Sequence, residues 1–93
     1  MEADYVNEYC PQLDGRVEVV LEDRTRVDCL TDDLAIEFDW CRKWAEAIGQ
    51  ALYYSRMTGK APAAALICSP EESRFIARFE LAAPDIELLI IPK

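Results

Sequence analysis

The chain has 93 residues, a length that suits one domain with a single hydrophobic core. Hydrophobic residues make up 52% of it, which argues against a disordered chain, and no apolar run approaches the roughly 18 residues that span a bilayer. With 10 basic and 18 acidic residues the net charge is −8, the wrong overall sign for a nucleic-acid-binding protein.

The first half of the chain alternates apolar and polar residues, which predicts strands after one short helix. On the third predicted strand, Ile36 and Phe38 fall on one face, and Glu37 and Asp39 fall on the other. The predicted elements are a helix over 3–10 and strands over 16–22, 26–30 and 34–39.

The second half alternates helical and extended patterns. Gly59 occupies the usual C-terminal position of a long helix, and Ser69 to Glu72 form a capping box with Pro70 at the first helical position. The order α-β-β-β-α-β-α-β predicts a single α/β domain over 1–93, with a mixed sheet flanked by helices on both faces. The predicted elements are a helix over 40–58, a strand over 63–68, a helix over 70–81 and a strand over 86–91.

The cysteines form no Cys-x-x-Cys pair and the chain has no histidine, which excludes a Cys/His zinc site. A disulfide framework would allow three pairings, but it needs an oxidising compartment that no sequence feature supports. We therefore expect buried free thiols. The acidic start, Met1 to Asp4, lacks the apolar segment of a signal peptide, so we expect a cytoplasmic protein. The four cysteines are Cys10, Cys29, Cys41 and Cys68.

The basic residues are unevenly distributed. Residues 40–60 have a local charge of +3, while the rest of the chain has −11. Contact with a polyanion would therefore use this middle segment, aided by a bound cation. Its basic residues are Arg42, Lys43, Arg56 and Lys60.

Two carboxylates fall on neighbouring predicted strands, Asp28 on the second and Glu37 on the third. A turn between such strands brings them within reach of one divalent cation, and Mg²⁺ prefers oxygen ligands. A bound Mg²⁺ (or Mn²⁺) lowers the pKa of a coordinated water and neutralises charge on a phosphodiester. The pattern therefore indicates hydrolysis of a nucleic-acid backbone.

The order αβββαβ with Asp28 and Glu37-Phe38-Asp39 resembles the PD-(D/E)XK, or restriction-endonuclease-like, nuclease superfamily. The resemblance spans about residues 3–69. Gln50 and Tyr54, as Gln-x-x-x-Tyr in the following helix, look like the third motif of the RecB-like branch. The resemblance implies a restriction-endonuclease-like core with an added C-terminal helix and strand.

By the same resemblance, Asp28 and Glu37 are metal ligands, while Gln50 and Tyr54 orient the site and the DNA. Glu8 in the first helix corresponds to an acidic residue of resolvase-like members, and Glu2 competes for that role. Arg42 is a further candidate for nucleic-acid contact.

The superfamily's lysine, two positions after the glutamate, is Asp39 in this chain. Asp39 shares a strand face with Glu37 and so becomes a candidate third metal ligand, but it cannot replace an ammonium group. Lys43 is the nearest substitute, and helical spacing places it on one stripe with Gln50 and Tyr54. Superfamily members are known to move this lysine.

Each of these signals also has an ordinary explanation. Two acids on neighbouring strands are often only solvated, and Gln50 and Tyr54 could form the polar face of a helix. Arg42 and Lys43 are more often surface charges than phosphate ligands. Three hypotheses follow: a metal-dependent DNA nuclease, a non-catalytic relative that serves as an interaction or assembly module, and an acidic cation-binding domain. The small size also leads us to expect a homodimer.

Overall fold

The computed structural model describes all residues from 1 to 93 as three helices and five strands. Short 3₁₀ turns precede α2 and α3, over Cys41–Lys43 and Pro70–Glu72, and another follows α1 over Pro11–Leu13. The elements are α1 (Glu2–Tyr9), β1 (Arg16–Val20), β2 (Arg26–Leu30), β3 (Leu34–Trp40), α2 (Trp44–Thr58), β4 (Ala61–Cys68), α3 (Ser73–Ala82) and β5 (Glu87–Pro92).

The five strands form one sheet in the order β1-β2-β3-β4-β5. The first three strands pair antiparallel, whereas β3 with β4 and β4 with β5 pair parallel, across the helical connections α2 and α3. The predicted α/β class, the element order and the mixed sheet are therefore confirmed.

Helices cover both faces of this sheet, as predicted. On one face, Val6 of α1 packs in a cluster with Ile36 and Phe38 of β3. On the other face, α2 and α3 pack in a cluster that includes Leu66 of β4 and Phe79 of α3. Strand β4 is buried on both faces, which explains its continuous apolar sequence.

The predicted helix ends are confirmed with their physical causes. Gly59 adopts φ +72° at the end of α2, a left-handed conformation that costs glycine little. The capping box before α3 forms, with the Glu72 carboxylate accepting a hydrogen bond from the Ser69 N–H at 2.9 Å.

Four predicted boundaries are wrong by two or more residues. Strand β4 begins at Ala61 rather than 63, and the α-helical part of α3 begins at Ser73 rather than 70, because Pro70–Glu72 form a 3₁₀ turn. Strand β1 ends at Val20 rather than 22, because the Leu21 N–H already donates to the Thr25 carbonyl and begins the hairpin turn. The α-helical part of α2 begins at Trp44 rather than 40, because residues Cys41–Lys43 form a 3₁₀ turn. No helix has both the length and the apolar character needed to cross a membrane.

The expectation of free thiols is wrong. Cys10 is disulfide-bonded to Cys29, Cys41 is bonded to Cys68, and no cysteine remains free. The pairing depends on the fold, because the cysteines of each pair are far apart in the chain. Cys10 and Cys29 are 19 positions apart, and Cys41 and Cys68 are 27 positions apart. Sequence spacing alone does not show that the folded chain brings these particular thiols together.

Gly15 makes room for the first disulfide. A Cβ atom at this position would collide with the sulfur atoms of both Cys10 and Cys29, and would lie 3.2 Å from the Cys10 carbonyl oxygen. We expect Gly15→Ala to lower the free energy of unfolding by about 1–3 kcal/mol, the usual cost of overpacking a core. Denaturant unfolding of the oxidised protein measures this change.

Gly49→Ala is the matched control. A Cβ at Gly49 meets nothing within 4 Å, and the residue lies inside α2, so this change should stabilise the protein by about 0.5–1 kcal/mol. Equal stability of Gly15→Ala and the wild type would show that the close approach to the disulfide does not constrain this turn.

Candidate functional site

The candidate site lies where β2 and β3 stop pairing. Their backbone ladder is limited to Cys29 opposite Ile36 and Leu30 opposite Ala35. Beyond Cys29, side-chain carboxylates accept hydrogen bonds from the backbone N–H groups that would otherwise point at the neighbouring strand. Because buried backbone N–H groups need partners, acids at these positions stabilise the separation of the two strands.

Asp28 and Glu37 bridge this gap in both directions. The Oδ2 atom of Asp28 accepts a hydrogen bond from the Phe38 N–H at 2.9 Å. The Oε1 atom of Glu37 accepts one from the Asp28 N–H at 3.3 Å. Each of the two carboxyl groups also affects the pKa of the other. Glu37 is only 4% exposed, so it is a carboxyl group almost wholly removed from water.

A second acidic pair adjoins the first. Asp39 is 6% exposed, and its Oδ1 atom accepts a hydrogen bond from the Trp40 N–H at 2.9 Å. Its carboxyl group and that of Glu2, at the start of α1, each affect the pKa of the other. The charge of Asp39 also acts on Asp28 and Glu37, so the four acids form one electrostatic cluster. We call Glu2, Asp28, Glu37 and Asp39 the acidic cluster.

Burial and mutual repulsion raise the pKa values in the acidic cluster. Burial raises the pKa of Glu37 to about 9, helped by the charge of Asp28. Burial and the charges of Asp39 and Asp28 raise the pKa of Glu2 to about 7. A carboxyl group with a pKa of about 9 is protonated at neutral pH, so Glu37 carries a proton there.

Burial also raises the pKa values of Asp28 and Asp39, although N–H donors oppose the effect. The Phe38 N–H opposes it at Asp28, and the Trp40 N–H does so at Asp39. The charge of Lys43 lowers the pKa of both Asp39 and Glu2.

A polar pocket of about 310 Å³ opens onto the cluster. Helix α2 contributes Gln50 and Tyr54, the two residues of the Gln-x-x-x-Tyr pattern. Burial raises the pKa of Tyr54, and the charge of Glu37 adds to this effect. The pocket is lined by Glu2, Glu18, Arg26, Asp28, Glu37, Gln50 and Tyr54.

The fold thus brings Asp28, Glu37, Gln50 and Tyr54, four of the candidate residues from the sequence, together around one pocket. Asp39 does not line the pocket and joins the site through Glu2.

Three other predicted site residues lie elsewhere. Glu8 is exposed on α1, because six residues of helix rotate it away from the side that presents Glu2. Arg42 is exposed on the 3₁₀ turn and does not line the pocket. Lys43 is half-buried and immediately precedes α2. The helical stripe predicted for Lys43, Gln50 and Tyr54 therefore includes one residue, Lys43, that is not part of the α-helix.

Sequence reasoning missed two pocket residues, Glu18 and Arg26. They form an ion pair at 3.5 Å. The hairpin register could have found Glu18, because Val17 pairs with Cys29 and Val19 with Val27, which leaves Glu18 across from Asp28. Two-residue strand periodicity could have found Arg26, which lies two positions before Asp28.

The donors of the acidic cluster are all carboxylate oxygens, which suits Mg²⁺ or another hard divalent cation. In this geometry, however, no three acidic side chains converge as a ready ligand set. The reason is visible in the hydrogen bonds: Asp28, Glu37 and Asp39 each direct an oxygen at a backbone N–H group. A cation would have to displace the proton of Glu37 and turn at least one carboxylate towards itself.

No protein-family profile matches the chain, and the searches of curated proteins and of solved structures likewise return no significant match.

The raised pKa of Glu37 predicts how stability depends on pH. Above the unfolded value of 4.5 and below about 9, the folded state binds more protons than the unfolded state. Stability therefore falls as pH rises through this window, by up to about 1.4 kcal/mol per pH unit for a single group. We expect a lower free energy of unfolding at pH 8 than at pH 5, measured by denaturant unfolding.

Glu37→Gln should flatten this dependence, because glutamine keeps the acceptor oxygen for the Asp28 N–H but does not ionise. Glu80→Gln, on the exposed side of α3, is the control and should keep the wild-type slope. A wild-type stability that rises between pH 5 and pH 8 would contradict the burial of a protonated Glu37.

Proposed function

We propose that this protein is a metal-dependent nuclease that hydrolyses phosphodiester bonds of DNA. The observation that supports this proposal most is the grouping of Asp28 and Glu37 from separated strands with Gln50 and Tyr54 from α2 around one pocket. These are the residues on which the resemblance to the PD-(D/E)XK superfamily depends, although Asp28 and Tyr54 are 26 positions apart in the chain.

Asp28 and Glu37, with Asp39 as a third donor, are the residues that would hold Mg²⁺ or Mn²⁺. When bound, such an ion supplies charge neutralisation at the phosphate and lowers the pKa of a coordinated water. Glu37 would give up its proton on binding, so ion affinity should increase with pH.

The other residues around the pocket have separate roles in this proposal. The Lys43 ammonium group, whose charge acts on Glu2 and Asp39, would donate hydrogen bonds that orient the attacking water or a phosphate oxygen. The Gln50 amide and the Tyr54 hydroxyl orient the substrate from α2. Arg26 supplies positive charge at the rim to a phosphate oxygen, since most other pocket residues are acidic.

The second candidate is a non-catalytic relative that uses the same fold as an interaction or assembly module. Two observations favour it: Asp39 replaces the lysine of the superfamily pattern, and no three carboxylates converge on a ligand position. The net charge of −8 is also unfavourable for DNA unless a cation offsets it. The expected homodimer stays a prediction.

The expected cytoplasmic location also stays a prediction. The two disulfides favour an oxidising compartment instead, since such bonds are rare where thiols are kept reduced.

The nuclease proposal predicts that Glu37→Gln lowers Mg²⁺- or Mn²⁺-dependent DNA cleavage by at least about 100-fold. The same variant should lose the increase in melting temperature that Mn²⁺ gives the wild type, because one cation ligand is gone. Plasmid and single-stranded DNA cleavage, with a thermal shift on the same samples, measure both effects. Glu80→Gln is the control and should resemble the wild type.

These measurements also separate the candidates. Undiminished cleavage by Glu37→Gln would reject the assigned site. A wild type that neither cleaves DNA nor is stabilised by Mn²⁺ would reject the nuclease and leave the interaction module.

Lys43→Ala should lower cleavage by about 100-fold, the lower end of what a positioned proton donor or acceptor contributes, while the Mn²⁺-induced thermal shift persists. Arg42→Ala removes an adjacent but fully exposed charge and should leave cleavage near the wild-type rate. Equal rates for Lys43→Ala and Arg42→Ala would show that Lys43 does not replace the missing superfamily lysine.

A further inference from the structure

Each disulfide cross-links a segment that includes or adjoins a residue of the acidic cluster, and the second one also adjoins Lys43. Cys29 directly follows Asp28 on β2, and its partner Cys10 ends the helix that begins with Glu2. Cys41 lies midway between Asp39 and Lys43. Its partner Cys68 ends β4, so this bond fastens the turn before α2 to the sheet.

Neither fastened element has much other buried surface. Within α1, Val6 is the single buried residue, and the helix has only eight residues. Isolated helices of that length are not stable in water. Tyr5 adds an edge-to-face contact with Trp40 at 5.8 Å between ring centroids. Tyr9 is the other partly buried residue of α1 that packs against this core. In the 3₁₀ turn Cys41–Lys43, Cys41 is the single buried residue. Each disulfide therefore adds a covalent link to an element that has few buried residues.

We propose that the two disulfides are positioning cross-links of the acidic cluster, so that its four carboxyl groups and Lys43 assemble only in the oxidised protein. Cys10–Cys29 holds α1, and with it Glu2, against the strand of Asp28. Cys41–Cys68 holds the segment that joins Asp39 to Lys43. The inference rests on the proposed function only for its catalytic consequence, because assembly of the cluster is measurable without metal or substrate.

Reduction of each bond transfers two electrons and two protons from a dithiol, which becomes a cyclic disulfide and leaves two protein thiols. Cys10, Cys29 and Cys41 have no exposed surface and Cys68 has 6%, so a dithiol reaches these bonds only when the structure opens. Substitution is therefore the cleaner way to remove each cross-link.

Backbone amides report the state of the cluster directly. The Phe38 N–H is bonded to Asp28 and the Trp40 N–H to Asp39. Leu66 lies on the interior strand β4, paired with β3 and β5, and reports global unfolding. The test compares hydrogen exchange at these three amides in wild type, Cys10→Ala/Cys29→Ala and Cys41→Ala/Cys68→Ala.

Cys10→Ala/Cys29→Ala should lower protection at Phe38 more than tenfold beyond any loss at Leu66, and should expose the amides of α1. Cys41→Ala/Cys68→Ala should do the same at Trp40. Phe79→Leu, in the core between α3 and the sheet, destabilises the fold without touching the cluster, so all three amides should change together. If a double alanine variant does not fold, Cys10→Ala/Cys29→Val restores apolar volume to the same core without the cross-link.

Parallel changes at Phe38, Trp40 and Leu66 in the disulfide variants would overturn the proposal, since the bonds would then stabilise the fold uniformly. Mn²⁺ binding and DNA cleavage by the same variants distinguish it from the proposed function. If the disulfide variants lose amide protection selectively but the wild type does not cleave DNA, the nuclease proposal is rejected and the cross-link proposal is retained. If both disulfide variants cleave DNA at the wild-type rate and keep their amide protection, the cross-link proposal is rejected and the nuclease proposal is retained.

Discussion

The site depends on one constraint, the separation of β2 from β3 after only two paired positions. A strand pair that opens leaves backbone N–H groups without partners, and here Asp28 and Glu37 supply the missing acceptors from their side chains. The same two carboxylates are consequently held close together and away from water. Burial then raises the pKa of Glu37 to about 9. The separation of the two strands therefore explains both the position of these carboxyl groups and the raised pKa.

This arrangement relates stability to function. An acidic cluster buried at the end of a strand pair is unfavourable when fully ionised, and protons or a cation relieve it. The backbone bonds that hold the acids in place also occupy oxygens that a cation would use, which accounts for the lack of a ready ligand set. Sites of perturbed pKa often coincide with function, and here the polar pocket with Gln50 and Tyr54 opens onto the perturbed groups.

Much of the fold follows from local sequence patterns. Alternation along β3 put Glu37 on the opposite face from Ile36 and Phe38, and the structure packs both apolar residues against α1. The apolar run of β4, Gly59 after α2 and the capping box before α3 are likewise local signals, and the corresponding elements formed within a few residues of the predicted bounds. Where bounds were wrong, a turn or a 3₁₀ segment competed with the regular pattern.

The sequence by itself determined the order of elements, the mixed α/β class and the candidate pair Asp28 and Glu37, because strand and helix periodicities are properties of neighbouring residues. Only the tertiary structure decided that Glu2 rather than Glu8 joins the cluster, and that Arg26 lines its pocket. It likewise decided which cysteines pair. These facts depend on how separate elements pack, and distances across a fold are not encoded in the spacing of residues along the chain.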